Sequence, residues 1–333
     1  MELKSLKVKD IIVRDVFTVH RAEKLIDAAH TMIGAHVSCL VVLENYNPIG
    51  ILTERDFIKK LKMAKDHSEE LLVNDIMTKQ LFTVDTHLDL FEAQKIMRSH
   101  NFRKLVIVEN EELKGIITQT DLCRAVAELK SPYPPAPLVK DAMTKKVFVV
   151  GEDDKFLKAK KIMASKDIGS VLVADKKELR GIFTEFDIGS EFFLNPNRLR
   201  NSYMKELMTT PVICVTSDFD LFQINKIMLK HNFRRLAVVD EHKILGIITQ
   251  TDVAKNLYEF IEKNKDYAPD KKAKHEDTDY AVRKLGSVIV YEKEQEKKEN
   301  KQDQKKDKKQ SDGDKKEDKE ELKEEPKEDK KGK

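Results

Sequence analysis

The sequence predicts an α/β protein built from four copies of one structural unit. The main observation is a segment of the form G-h-h-T-x-x-D, where h is apolar, which recurs at intervals of 65, 66 and 65 residues. A second observation is a methionine that stands eighteen residues before each of these glycines. Agreement in both spacing and residue type makes a fourfold repeat the simplest explanation. The segments are residues 50–56, 115–121, 181–187 and 246–252.

The first element that can be placed within the even-numbered units is a helix. Thr86 with Asp89, and Ser217 with Asp220, fit a helix start in which a hydroxyl caps the first turn and an acidic residue follows. Apolar residues then recur at three- and four-residue steps from Leu90 to Met97, which places an apolar stripe on one face. The pattern predicts helices that begin at the threonine and at the serine.

Two strands and a second helix complete the unit. Residues 105–109 and 115–118 are short, rich in β-branched side chains and bounded by Asn110 and Gly115, which is typical of strands buried on both faces. A helix is predicted from Asp121 through Leu129. The predicted order is therefore a leading strand, a helix, two strands and a helix, which is an α/β arrangement.

The units alternate in type, which indicates duplication of a pair. Residues 100–121 and 231–252 share 13 of 22 identities, so the second and fourth units form one class. A proline-rich segment separates the pairs, because proline forbids helix continuation and favours an extended connector. We expect module 1 at residues 1–130 with repeats at about 8–62 and 73–129, a linker at 131–138, and module 2 at 139–265 with repeats at about 139–192 and 204–262.

The C-terminal extension, residues 266–333, has a different composition. From residue 292 onward it holds 16 lysines, 16 acidic residues and one large apolar residue, Leu322. Such a segment cannot bury enough apolar surface to offset its ordering entropy, so disorder is predicted from about residue 292. Residues 280–292 are predicted to form one strand that adds to a sheet edge, here or in a partner. We expect residues 1–265 to fold and bind ligand without the extension.

Composition argues against several classes of protein. A formal net charge of +3 is small for a protein that neutralises nucleic-acid phosphates, so DNA and RNA are disfavoured as partners. The three cysteines are far apart and form no C-x-x-C pair, which fits a reducing cytoplasm and no zinc site. No secretory signal or long apolar run is present, so a soluble protein without membrane contact is expected. Catalytic motifs such as G-x-S-x-G and H-E-x-x-H are absent, so we expect no enzymatic activity.

Other repeated residues have structural explanations. The four matching methionines are expected in the core, because thioethers at equivalent helical positions usually fill space. The three cysteines are expected to be small buried hydrophobic residues. Asp10, Asp75 and Asp141 precede the leading strands and fit a turn or a cap without any metal. His100 and His231 fit capping or packing at a helix end.

The repeats resemble the cystathionine-beta-synthase (CBS) domain family, whose paired repeats form Bateman modules. The resemblance covers roughly residues 8–262. It rests on the four G-h-h-T-x-x-D segments and on VNDIMTKQLFTV at 73–84, VKDAMTKKVFVV at 139–150 and MKELMTTPVICV at 204–215. The first repeat departs from this pattern, since VKDIIVRDVFTV at 8–19 lacks the Met-Thr pair. The resemblance implies four CBS repeats arranged as two Bateman modules, packed into a flat disc within one chain or across a homodimer.

Threonine and aspartate at this spacing also suit a ribose on chemical grounds. A carboxylate at a helix start can accept both ribose hydroxyls, and a hydroxyl three residues earlier can bond ribose or phosphate. A helix N-terminus favours negative charge. The open alternative is that each aspartate only caps its helix. The resemblance assigns adenosine-nucleotide binding to Thr53 with Asp56, Thr118 with Asp121, Thr184 with Asp187, and Thr249 with Asp252.

Two adjacent cations precede the buried strand in each even repeat. A guanidinium group suits phosphate because its planar fork makes two charge-assisted bonds. Related nucleotide-sensing modules place cations here, facing phosphate; the alternative is a solvated strand start. The resemblance also implies ligand contacts from one threonine in each of three leading segments. The cations are Arg103, Lys104, Arg234 and Arg235, and the threonines are Thr78, Thr144 and Thr209.

The resemblance implies a regulatory protein that binds adenine nucleotides in clefts between paired repeats and passes their occupancy to an unidentified partner protein. AMP, ADP, ATP and S-adenosylmethionine all remain candidate ligands, with Mg²⁺ as an optional companion. No obligatory cofactor and no metal site are expected. The alternative function is a ligand-free CBS scaffold for interaction or oligomerisation.

Overall fold

The computed structural model describes residues 6–60, 70–127, 135–176, 178–188, 196–240, 243–264 and 280–293. In each repeat a short helix precedes the strand, helix, two strands and helix that the sequence predicts. The short helices occupy the start of the predicted leading strands, so only the last few residues of each leading segment form a strand. The first half of the predicted linker, residues 131–134, and the charged tail after residue 293 lie outside the described residues.

The elements are numbered along the chain. Repeat 1 contains α1 (Val8–Ile11), β1 (Thr18–His20), α2 (Leu25–Gly34), β2 (Cys39–Glu44), β3 (Asn47–Thr53) and α3 (Glu54–Lys60). Repeat 2 contains α4 (Val73–Ile76), β4 (Thr83–Val84), α5 (Leu90–Ser99), β5 (Lys104–Glu109), β6 (Glu112–Thr118) and α6 (Gln119–Ala127). Repeat 3 contains α7 (Val139–Ala142), β7 (Val149–Val150), α8 (Phe156–Lys166), β8 (Ser170–Asp175), β9 (Glu178–Thr184) and α9, described over residues 185–188.

Repeat 4 is longer and is followed by two further strands. It contains α10 (Pro196–Asn201), α11 (Met204–Leu207), β10 (Val212–Val215), α12 (Leu221–Lys230), β11 (Arg235–Asp240), β12 (Lys243–Thr249) and α13 (Gln250–Lys263). The two further strands are β13 (Tyr280–Leu285) and β14 (Val288–Lys293).

Each repeat forms a sheet in which the leading strand pairs in parallel with the next strand, which pairs antiparallel with the third. The first three sheets have three strands, whereas repeat 4 belongs to a five-stranded sheet of order β12-β11-β10-β14-β13. The single strand predicted over residues 280–292 is therefore wrong. The segment is a hairpin that turns at Gly286, whose φ is 54°. It adds to a sheet edge of its own chain, which is one of the two predicted placements.

The long helices of the even repeats begin three residues later than predicted. Asp89, not Thr86, caps α5, and its Oδ1 accepts the backbone N–H of Glu92 at 2.8 Å. Asp220, not Ser217, makes the equivalent cap of α12. A carboxylate is favoured at this position because it accepts the hydrogen bond and also places negative charge at the helix N-terminus. The predicted caps are wrong, and the predicted helices and their apolar stripes are confirmed.

Backbone contacts join repeat 1 to repeat 2 and repeat 3 to repeat 4. In each case the leading segment of one repeat forms a bridge with the third strand of its neighbour. The repeated glycine permits this approach, since a Cβ at Gly115 would lie 2.5 Å from the carbonyl oxygen of Val13. The sequence repeats glycine here because two chain segments touch at that point. The bridges are Ile51 with Thr78, Val13 with Ile116, Ile182 with Thr209, and Thr144 with Ile247.

Helix packing joins the repeats in the other direction. Helices α5 and α6 of repeat 2 share a core with α12 and α13 of repeat 4, and repeats 1 and 3 share another core. The hydroxyl of Tyr258 donates to the carbonyl oxygen of Leu122 at 3.2 Å, and Asn225 donates to that of Cys123 at 2.8 Å. All four repeats therefore pack together within one chain.

The repeated methionines lie in these cores, as predicted. None of the four is more than 5% exposed. Cys123 and Cys214 are fully buried, and burial raises the pKa of both thiols to about 12. Cys39 keeps partial exposure, so the prediction of burial is wrong for this residue. The methionines are Met32, Met97, Met163 and Met228.

The other repeated polar residues lie at helix ends. Asp10 and Asp75 each accept the backbone N–H three residues earlier, at 2.7 and 2.9 Å. His100 and His231 are the C-terminal caps of α5 and α12, as predicted. Among the described residues, no three His, Cys, Asp or Glu side chains are grouped as a metal site would require. None of the described helices combines the length and the apolar character that crossing a membrane demands.

Candidate functional site

A cavity of about 690 Å³ lies where the four repeats meet. Its wall is formed by the ends of the third strands, the starts of the final helices, and the loops that precede the second strands. Most of the predicted site residues line it. These are Thr53, Thr78, Arg103, Lys104, Thr118, Thr144, Arg234, Arg235, Thr249 and Asp252. The predicted residues that do not line it are Asp56, Asp121, Thr184, Asp187 and Thr209.

The threonine and aspartate of each repeat have the same local geometry. In repeat 4, Asp252 Oδ2 accepts the backbone N–H of Thr249 at 2.9 Å and its hydroxyl at 2.6 Å. The other three repeats make the same two contacts at 2.7 to 2.8 Å. The aspartate thus fixes the junction between strand and helix with one carboxylate oxygen, and the chemistry of each site depends on the other oxygen.

The second carboxylate oxygen is occupied in module 1. Asp56 Oδ1 accepts the hydroxyl of Thr78 at 2.7 Å and lies 2.8 Å from the ammonium group of Lys60. Asp121 Oδ1 accepts a hydrogen bond from Arg124 at 3.1 Å. Thr78 belongs to the leading segment of the neighbouring repeat and was predicted to contact the ligand. In the structure its hydroxyl contacts Asp56.

The two repeats of module 2 differ at this oxygen. Asp187 Oδ1 accepts the hydroxyl of Thr209 at 3.4 Å. Asp252 Oδ1 has no hydrogen-bond partner among the described residues, although Thr144 of the neighbouring leading segment lines the same cavity. Burial raises the pKa of Asp252, and its hydrogen bonds from Thr249 offset this only in part. Asp252 is the one aspartate of the four that lines the cavity.

One cation of each even repeat holds the neighbouring odd repeat. The ammonium group of Lys104 donates to the carbonyl oxygen of Ser38 at 3.0 Å. Arg235 donates to the carbonyl oxygen of Gly169. Ser38 and Gly169 occupy the same position in their repeats, so the two contacts are equivalent. Two of the four predicted phosphate cations, Lys104 and Arg235, are therefore held at the cavity wall by backbone carbonyl groups.

The other cation of each even repeat reaches across to the opposite pair. Arg103 Nη1 donates to Glu185 Oε2 at 2.5 Å, and Arg234 Nη1 lies 3.8 Å from Glu54 Oε1. Glu185 is only 1% exposed. Its burial acts to raise the pKa, but the guanidinium groups of Arg103 and Arg235 outweigh burial and hold the pKa below its ordinary value. Glu54 shows the opposite balance, because burial raises its pKa.

An additional ion-pair cluster lies on the odd repeats. Arg55 Nη2 lies 3.0 Å from Asp167 Oδ1 and Arg55 Nε lies 3.7 Å from Glu185 Oε1, while Lys59 also pairs with Asp167. None of these residues was predicted from the repeat pattern to belong to the site. The glutamates could have been found, because Glu54 and Glu185 follow the site threonine at the position where both even repeats carry glutamine.

The charge of the cavity favours an anion. Seven lysine and arginine side chains and four carboxylates line its wall. Excess positive charge in a partly enclosed space raises the local concentration of anions. The cavity can therefore hold a group with several negative charges.

One end of the cavity is aromatic. The rings of His100 and Phe102 stack with centroids 5.3 Å apart, and the centroid of Phe82 lies 4.9 Å from that of His100. All three residues line the cavity. Such a surface suits contact with a planar or apolar group.

The CBS domain family matches residues 8–63, 73–128, 139–191 and 204–259 of this chain. The protein therefore belongs to the CBS-domain family, and the predicted resemblance is confirmed. The four repeats in a mixed α/β fold are consistent with two Bateman modules.

Solved structures show the same fold. Protein MJ1225 of Methanocaldococcus jannaschii, proposed as an archaeal homolog of g-AMPK, has a TM-score of 0.69 and 24% identity, over 76% of this chain and 100% of that chain. An uncharacterized conserved protein of Pyrococcus horikoshii has a TM-score of 0.53 and 19% identity, over 75% of this chain and 99% of that chain.

A relative is also found by sequence. The uncharacterized protein MK0525 of Methanopyrus kandleri is 33% identical over 122 residues, and the match spans 36% of this chain and 62% of that relative.

Proposed function

We propose that this protein is a regulatory sensor that binds an adenine nucleotide or a related adenosyl ligand in the central cavity and signals its occupancy to a partner protein. CBS-domain proteins are typically regulatory rather than catalytic. The observation that carries the proposal is that site threonines from three repeats and all four predicted phosphate cations line one cavity. Its volume of about 690 Å³ suits a small organic ligand.

The ribose is assigned to repeat 4. A ribose needs a carboxylate oxygen that can accept its hydroxyls, and Asp252 Oδ1 has no competing partner among the described residues. In repeats 1 and 2 the equivalent oxygens of Asp56 and Asp121 already accept side-chain hydrogen bonds. The neighbouring Thr144 adds a hydroxyl to the same wall. We therefore expect the sites of the four repeats to be unequal.

The phosphate groups are assigned to the cations of the even repeats. Arg103, Lys104, Arg234 and Arg235 come from two repeats and face one cavity. Arginine binds phosphate through two parallel hydrogen bonds, so a chain of phosphates can be held from both sides. This arrangement favours nucleotides over uncharged nucleosides.

A thermal-shift panel on the full chain tests the proposal. AMP, ADP, ATP, adenosine and S-adenosylmethionine are compared with GMP as the base control. A ligand at 100 times its dissociation constant stabilises by about 2.7 kcal/mol, which is readily measured. Stabilisation by the adenosyl ligands alone supports the proposal. A folded protein that none of them stabilises would instead be the ligand-free scaffold.

Two matched variants locate the ribose. Asp252→Ala should weaken AMP and adenosine alike by about 10-fold or more, because the lost hydrogen bonds address the sugar. Asp56→Ala, the same change in repeat 1, should have a much smaller effect, since Asp56 does not line the cavity. Equal losses in the two variants would place the ribose elsewhere. The homodimer, the cytoplasmic location and the optional Mg²⁺ stay predictions.

A further inference from the structure

The glutamate that follows the site threonine distinguishes the odd repeats from the even ones. In the even repeats the equivalent residues are Gln119 and Gln250, which accept hydrogen bonds from Thr251 and Thr120 at 2.5 and 2.7 Å. These contacts are neutral and reciprocal. In the odd repeats the side chain is a carboxylate that faces the phosphate cations of the even repeats. The chain therefore supplies its own anions to the proposed phosphate site.

Glu185 is the better placed of the two glutamates. Its Oε2 accepts a hydrogen bond from Arg103, while its Oε1 has no hydrogen-bond partner within the described part of the chain and lies 3.7 Å from Arg55. The side chain is 2% exposed and lines the cavity. A buried carboxylate with one unsatisfied oxygen is held mainly by the charge of the surrounding arginines.

The backbone beside this ion pair leaves room for it. Gly169 lies against the contact, and a Cβ at this position would lie 3.0 Å from both Arg103 Nη2 and Glu185 Oε2. The equivalent residue of repeat 1 is Ser38, where the opposing pair, Arg234 with Glu54, is longer at 3.8 Å and has no hydrogen bond. The close contact therefore forms on one side of the cavity, where the repeat carries glycine.

We propose that Glu185 is an internal competitor of the ligand, whose carboxylate occupies the phosphate position on Arg103 until a ligand phosphate replaces it. The inference rests on the proposed function, since it requires phosphate to bind at Arg103. A carboxylate and a phosphate compete for the same face of a guanidinium group. A phosphate with two negative charges displaces the carboxylate, whereas an uncharged nucleoside does not. Glu185 thus lowers the affinity for ligands that carry a phosphate and leaves the affinity for uncharged nucleosides unchanged.

Pyrophosphate is the direct probe, because it binds the cations without needing a nucleoside site. Glu185→Gln keeps the shape of the side chain and removes its charge, so pyrophosphate should bind about 10-fold more tightly to this variant by isothermal titration. Glu54→Gln should give a smaller gain, since Arg234 is held less closely. Glu44→Gln removes one negative charge from a surface ion pair with Arg21 outside the cavity, and should leave the pyrophosphate affinity unchanged.

A second readout separates competition from structural support. Without ligand, Glu185→Gln should lower the melting temperature, because three arginines lose their shared anion. Tighter binding together with lower stability is the expected pair of results. Equal or weaker pyrophosphate binding by a folded Glu185→Gln protein overturns the inference. If that variant does not fold, Glu185→Asp keeps the charge but shortens the reach to Arg103, and it should also tighten binding; no gain in this variant overturns the inference.

AMP and adenosine distinguish failure of the inference from failure of the proposed function. If AMP binds the wild-type protein and neither AMP nor pyrophosphate binds Glu185→Gln more tightly, the proposed function stands and the inference is wrong. If pyrophosphate binds more tightly to the variant while no adenosyl ligand binds either protein, the inference stands and the adenosyl assignment is wrong. If neither pyrophosphate nor any adenosyl ligand binds the folded wild-type protein or the variants, both are overturned.

Discussion

Repeats 2 and 4 share the sequence HNFR and the same local geometry, yet their surroundings differ. His100 stacks on Phe102 at 5.3 Å with 16° between the rings, and His231 stacks on Phe233 at 5.4 Å, also with 16°. In repeat 4 the ring of Tyr291 from the C-terminal hairpin covers this pair, 5.5 Å from His231. In repeat 2 no described segment pairs with the outer edge of β4, and the aromatic pair lines the cavity.

The difference shows how two nearly identical units acquire different roles. Repeat 2 supplies its own third ring, Phe82, which is 37% exposed. The equivalent residue of repeat 4 is Ile213, and the hairpin provides the missing aromatic surface while it pairs with β10. Repeat 2 therefore keeps a surface open to the cavity, whereas the same surface of repeat 4 serves stability.

Removal of the C-terminal hairpin, which covers the aromatic pair of repeat 4 only, should cause the largest loss of stability. A chain that ends at residue 279 loses the buried side chains of Val290 and Tyr291 and exposes Val212 and Cys214. Each buried side chain contributes about 1.5 to 3 kcal/mol, so the free energy of unfolding should fall by roughly 5 kcal/mol. Urea denaturation measures the change, and a chain that ends at residue 293 is the control.

This result would also decide whether residues 1–265 suffice, as the sequence predicts. The unpaired edge of β10 would then expose its N–H and C=O groups, which favours aggregation. If the chains that end at 279 and 293 have the same stability, the hairpin contributes nothing and the shorter chain is complete.

Single aromatic substitutions compare the contributions of the two aromatic clusters to stability. Tyr291→Ala should lower the free energy of unfolding by about 3 kcal/mol, because the ring is buried against the stacked pair of repeat 4. Phe82→Ala should lower it by about 1 kcal/mol, since that ring is partly exposed. A larger loss for Phe82→Ala would mean that the aromatic cluster of repeat 2 is the more important for stability.

Substitution of Arg103 in repeat 2 and of Arg234 in repeat 4 should have similar effects on ligand affinity. Arg103→Ala and Arg234→Ala should each weaken AMP about 10- to 100-fold and leave adenosine nearly unchanged, since a charge-assisted bond contributes about 1.5 to 3 kcal/mol. Arg103→Ala should also lower stability by about 2 kcal/mol, because Glu185 stays buried with one partner fewer. Isothermal titration and denaturation measure the two effects. Equal losses for AMP and adenosine would show that the arginines support the fold instead.

The smallest effect concerns pH. Burial raises the pKa of Asp252 above its ordinary value of 3.8, so the folded state binds this proton more tightly than the unfolded state. The contribution of Asp252 to stability is therefore greatest below pH 3.8 and is lost as pH rises through the folded pKa. Asp252→Asn should remove this part of the pH dependence of stability, because asparagine does not titrate. If denaturation experiments give the same pH profile for Asp252→Asn and the wild-type protein, the pKa of Asp252 is not raised in the folded state.

The structure of the repeated unit can be predicted from the amino-acid sequence. The strands, the long helices and the threonine–aspartate contacts follow from residues close together in the chain, such as Thr249 and Asp252, which are three residues apart. Such short-range contacts form in each copy regardless of its neighbours, so a fourfold repeat reveals them. Local patterns still misplaced some elements, among them the caps of α5 and α12, where a carboxylate competed with a hydroxyl three residues earlier.

The residues that meet in the cavity could not be predicted in this way, because they are far apart in the chain. Arg103 and Glu185 are 82 residues apart, and their contact requires repeat 2 of one pair to face repeat 3 of the other. Whether the second carboxylate oxygen of Asp252 meets a partner among the described residues likewise depends on what the neighbouring repeats place beside it. Composition and motif spacing carry no information on these distances. The distances are set by the packing of the helices of repeat 1 against those of repeat 3, and of repeat 2 against those of repeat 4.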